Sequence, residues 1–123
     1  MSYDLIVFDP TAAPRDRAQF MLWYRCQTSW SEGHSYDDPA VSSPGLQAWF
    51  HEIRTSWPPL NGRYKSQSTD ASTDYSIGEH VIYCALAAFT AGNAYPVMRD
   101  LAVKHRLGLY EVSEPNGEIM YPD

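Results

Sequence analysis

The chain has 123 residues, enough for one domain and too few for two ordinary ones. Hydrophobic residues at 44% and charged residues at 20% suit a globular chain, and no apolar run approaches the roughly 20 residues of a membrane helix. Nine basic against fifteen acidic side chains give a formal charge of -6, the wrong sign for a nonspecific nucleic-acid binder or for an anionic membrane surface.

Aromatic residues reach 14%, with four Trp and nine Tyr, so large rings are plentiful for so small a chain. Rings of this kind fill cores, and they also anchor interfaces. Met1 to Pro10 has no Lys or Arg ahead of its apolar stretch and no small-residue cleavage site. No secretory signal is expected from that pattern, which makes the cytoplasm the default location. Cys26 and Cys84 stand 58 positions apart, with no C-x-x-C and no zinc spacing. Both read as small buried hydrophobes.

Tyr3 to Asp9 is a β-rich run ended by Pro10 and predicts a buried first strand. Thr11 is placed to cap the next element. Phe20, Trp23, Tyr24 and Gln27 recur at i, i+3, i+4 and i+7, which predicts an amphipathic helix over Arg15–Gln27. Thr28 to Ser43 is polar and long for a structureless connection, the kind of loop that carries function. Ser43-Pro44 starts a second helix, Ser as N-cap and Pro at the first position. Leu46, Trp49, Phe50, Ile53 and Trp57 form its stripe, and Pro58-Pro59 is expected to stop it.

Arg63 to Thr73 reads as an exposed loop. Glu79 to Leu86 is the next strand, with Tyr75 and Ile77 as its beginning and Gly78 as a bulge. Thr90 to His105 predicts a third helix with Pro96 in its first turns and Gly108 closing it. Leu109–Val112 and Ile119–Tyr121 form a hairpin around Glu114-Pro115-Asn116-Gly117. The order is β-α-α-β-α-β-β. It predicts a single α+β domain over residues 1–123, two-layered, with helices on one face of a mainly antiparallel four-stranded sheet.

No phosphate-binding, dinucleotide or nucleophile-elbow motif is present. His51-Glu52 lacks the second His of a zinc helix, because Thr55 stands three residues after Glu52. No cofactor and no metal are called for. His34, Asp37, Asp38 and Glu32 make the one dense polar cluster. Asp37 and Asp38 are adjacent, which suits a solvated turn better than a paired-carboxylate site. On a strand Glu79 and His80 would face opposite sides.

The charge pattern is more informative. Glu32, Asp37 and Asp38 lie on one polar loop and Asp70 and Asp74 on another, with Trp30, Tyr36, Tyr64 and Tyr75 interleaved. Acids among aromatic anchors suit a protein-binding surface that meets a basic partner.

Ser2–Pro10, Tyr36-Asp37-Asp38-Pro39, Pro58–Gly62 and Thr73–Gly78 together resemble a family of small, acidic, stand-alone bacterial proteins, over nearly the whole chain. In size and charge these are similar to the immunity proteins of interbacterial competition, including those that neutralise type VI secretion effectors. The resemblance carries no residue roles with it. The expectation is a non-enzymatic immunity protein. It would occlude the basic active site of a cognate toxin with Trp30, Glu32, Tyr36, Asp37, Asp38, Asp70 and Asp74. The competing expectations are a small enzyme or ligand-binding domain using His34, Asp37, Asp38 or His80, and an oligomeric scaffold using Trp49 and Trp57.

Overall fold

Leu5, Ile6, Val7 and Phe8 are all fully buried in the computed structural model, which describes residues 2–65, 67, 70–114 and 116–122. They close strand β1 (Ser2–Phe8). Successive side chains of a strand point to opposite faces, so an unbroken buried run needs cover on both. Leu5 and Val7 pack with helices α2 (Pro44–Ile53) and α3 (Ala91–Lys104), whereas Ile6 and Phe8 pack with Phe20 of α1 (Arg17–Gln27). The helices therefore lie on both faces of the sheet, correcting the two-layer expectation. Burying side chains of this size stabilises by about 1.5–3 kcal/mol each.

The sheet has five antiparallel strands rather than four. Besides β1 these are β2 (Asp74–Ile77), β3 (Val81–Ala87), β4 (Gly108–Tyr110) and β5 (Ile119–Met120), in the order β2-β3-β1-β4-β5. The difference arises at Gly78. The chain reverses there instead of bulging, with the Gly78 N–H donating to the Val81 carbonyl at 2.8 Å and Ile77 opposite Ile82. The element order becomes β-α-α-β-β-α-β-β. The closing hairpin forms as expected, Tyr110 opposite Ile119. Pro115 of its turn lies outside the described residues.

Helix ends follow local chemistry. Asp16 caps α1, its Oδ2 accepting from the Gln19 N–H at 3.0 Å. Thr11 does not cap it; its N–H and hydroxyl both donate to Asp9 Oδ1. Ser43 and Pro44 open α2 as expected, although the Ser43 hydroxyl makes no capping bond. That helix ends at Ile53, before the prolines. Pro96 sits in the second turn of α3, and the Gly92 carbonyl it leaves without a donor belongs to an exposed residue. Arg106, not Gly108, closes α3. It takes φ +57°, with Leu107 N–H on the Ala102 carbonyl and Arg106 N–H on the Val103 carbonyl.

Trp49 is fully buried and its indole N–H donates to the Met98 carbonyl at 3.1 Å, tying α2 to α3. The aromatic face of α2 is thus used inside the molecule, which removes Trp49 from an oligomer interface. Cys84 is buried, but Cys26 is exposed on α1, against expectation. Among the described residues no helix is long and apolar enough to cross a membrane.

Candidate functional site

Helix α1 covers only part of its face of the sheet. Its buried Phe20 packs over β1, β3 and β4, against Ile6, Phe8, Val81 and Tyr110. Tyr75, Ile77, Ile82 and Cys84 point into the opposite core. Alternation then turns Asp74, Ser76, Tyr83 and Ala85 toward the α1 side, and the register sets Asp74 opposite Ala85 and Ser76 opposite Tyr83. These four floor a pocket of about 330 Å³, walled by Tyr24, Thr28 and Trp30. Among the described residues that line it, none is basic.

Ala85 is also opposite Asp4 on its other side, so Asp74, Ala85 and Asp4 form one row across three strands. The Tyr83 hydroxyl donates to Asp4 Oδ2. Burial, and then this bond to a carboxylate, push the Tyr83 phenol well above its ordinary range. Tyr83 thus stays a neutral phenol, and Asp4 is already engaged. Asp74 is exposed on the edge strand β2 and faces the pocket.

Trp30 reaches the pocket because the loop before α2 is pinned. It adopts φ +55°, a left-handed conformation uncommon outside glycine. Its ring meets Tyr36 edge to face at 5.0 Å and Tyr83 at 6.2 Å. The Tyr36 carbonyl accepts from the Ile77 N–H at 2.8 Å, covering part of the β2 edge, and the Tyr36 phenol oxygen accepts from the Glu32 N–H. Glu32 Oε1 in turn accepts from the Glu79 N–H at 3.0 Å and contacts His34 Nε2 at 2.7 Å. The other His34 nitrogen lies 2.7 Å from the Ser35 carbonyl. That carbonyl, then the Glu32 carboxylate, raise the imidazole above its ordinary value.

The predicted residues therefore separate into groups. Trp30 and Asp74 line the pocket, while Tyr36 and Glu32 hold Trp30 in place. Asp74 begins a strand instead of lying in a loop. Asp38 caps a short 3-10 turn, Pro39–Val41, through the Ala40 N–H at 2.9 Å. Asp37 lies against Gly62, where its carbonyl oxygen would stand 2.6 Å from a Cβ and so leaves room only for glycine, which also suits the φ of +85° there. Asp70 is exposed and does not line the pocket.

His34 engages Glu32 and Ser35, not Asp37 or Asp38. Glu79 and His80 occupy the turn between β2 and β3, and their side chains meet at 2.9 Å instead of facing apart. Among the described residues no three His, Cys, Asp or Glu side chains gather to hold a metal. A second hollow of about 290 Å³ lies between Tyr3, Ala91, Gly92, Tyr95 and Glu111. Its carboxylate already accepts from the Tyr3 hydroxyl at 2.6 Å.

Sequence reasoning missed Tyr24, Thr28, Ser76, Tyr83 and Ala85. The alternation of Asp74-Tyr75-Ser76-Ile77 was the one local sign that β2 has a polar face. No protein-family model matches the chain, and no curated protein or solved structure does.

Proposed function

We propose that this chain is an immunity-type inhibitor, acting in the cytoplasm, that binds a basic protein toxin and blocks its active site. Toxins delivered by type VI secretion are the class intended. The observation that carries the reading is the α1-side pocket, where aromatic walls and the Asp74 carboxylate meet with no basic residue among the described residues of the lining. An enzyme that handles nucleotides or nucleic acid presents cations to its substrate, and carboxylates occupy such a site by imitating that substrate's charge. Trp30, Tyr36, Glu32 and Asp74 form the centre of the contact, and Asp37, Asp38 and Asp70 add negative charge outside the pocket. The formal charge of -6 steers encounter with a cationic surface. The hydrogen bonds that pin the Trp30 loop reduce the ordering cost of association. No cofactor, nucleic acid or membrane enters this reading.

The test is binding to the product of the adjacent reading frame. A stoichiometric complex is expected, with an on-rate that falls as salt rises and with protection of cells producing that protein. Neither complex nor protection means the proposal is wrong.

A further inference from the structure

Resting on that reading, we infer that the pocket of Tyr24, Trp30, Asp74, Ser76, Tyr83 and Ala85 receives one arginine side chain of the partner protein. The volume, about 330 Å³, is at the small end of the range for ligand sites, about 300–1,000 Å³, and suits an amino-acid side chain rather than a larger cofactor. Carboxylates at Asp74 and Asp4 lie on either side of Ala85 in one row, and this row repels anions. Two strand spacings separate their backbones, about 10 Å, and the small Ala85 leaves the floor open between them.

Arginine suits this lining better than lysine does. Its planar guanidinium stacks on aromatic faces and spreads five donors in one plane. Trp30 and Tyr83 stand nearly perpendicular, at 82°, so a plane stacked on one ring presents its edge to the other. The Asp74 carboxylate and the Ser76 hydroxyl are then acceptors on the floor. A lysine ammonium has no plane to stack and loses more hydration on entering.

The experiment is an NMR titration of the full chain with N-acetyl-arginine amide, N-acetyl-lysine amide and the neutral isostere N-acetyl-citrulline amide. Readouts are the Trp30 indole and the Ser76 and Ala85 amides. Saturable shifts are expected with the arginine probe, weaker ones with lysine and none with citrulline. Asp74→Asn should weaken the arginine response by about five-fold, the loss of one partly exposed ion pair. Leu22→Ala, an exposed position on α1 outside the pocket, should leave it unchanged. Equal responses to arginine and citrulline, shifts that never saturate, or an Asp74→Asn variant that binds as well as the parent would each overturn the inference. The two proposals fail separately. Toxin capture undiminished by Asp74→Asn removes the arginine pocket and keeps the inhibitor. Saturable arginine binding without toxin capture removes the inhibitor and keeps the pocket.

Discussion

Glu32 and Glu79 are joined across 47 residues by one hydrogen bond, Oε1 of the first accepting from the backbone N–H of the second at 3.0 Å. The bond holds the loop that carries Trp30 against the turn between β2 and β3. Glu32→Ala should therefore release the loop and lower stability by about 1 kcal/mol, the net worth of an ordinary hydrogen bond. Urea denaturation measures the loss, and Trp30 amide exchange should quicken with it.

His34 makes the same anchor sensitive to pH. Both ring nitrogens face acceptors, the Ser35 carbonyl and the Glu32 carboxylate, so the protonated ring is favoured. The folded value lies above the unfolded one, and the stabilisation is fully present below the ordinary histidine value. It is lost as pH rises through the folded value. Trp30 emission should titrate with a midpoint above that of free histidine, and His34→Gln should abolish the transition. An unchanged transition in the variant would show that another group reports.

Gly108 lies opposite Phe8, and the Phe8 ring occupies the space a side chain would need. A Cβ at Gly108 would come within 2.1 Å of the ring carbon Cζ. Phe8 cannot easily yield, because Phe20, Trp23 and Tyr121 surround it at 5.1, 5.9 and 5.7 Å. Gly108→Ala should cost about 1–3 kcal/mol, as overpacking does. Adding Phe8→Leu should recover part of the damage caused by the alanine. Denaturant midpoints of the single and double variants form the cycle that checks this.

The two cysteines should react differently. Cys26 is exposed, whereas Cys84 is fully buried and burial pushes its thiol well above the usual range. An aromatic disulfide reagent should titrate Cys26 alone in the native protein. It should reach Cys84 only after unfolding. Rapid native labelling of both would mean that β3 opens readily.

The local pattern identified β1, the Ser43-Pro44 start of α2, its stripe Leu46, Trp49, Phe50 and Ile53, and the closing hairpin, because each rests on contacts or periodicities within a few residues. Gly78 was harder. The inward positions are odd-numbered at Tyr75 and Ile77 and even-numbered at Ile82 and Cys84. A bulge and a hairpin turn both produce that change of phase, and only the pairing of Ile77 with Ile82 separates them. Tyr24 keeps its place on the apolar stripe of α1, packed against the core and edge to face with Tyr110 at 5.4 Å, and it also walls the pocket, since α1 ends before it can cover β2.

Composition and periodicity by themselves determined an acidic α+β chain with large rings, and they marked Trp30 and Asp74 without joining them. Tertiary structure alone decided which helix lies on which face and brought Tyr24, Trp30, Asp74 and Tyr83 to one hollow. Periodicity reports which side of an element is apolar. What covers that side depends on segments distant along the chain, whose meeting is governed by packing.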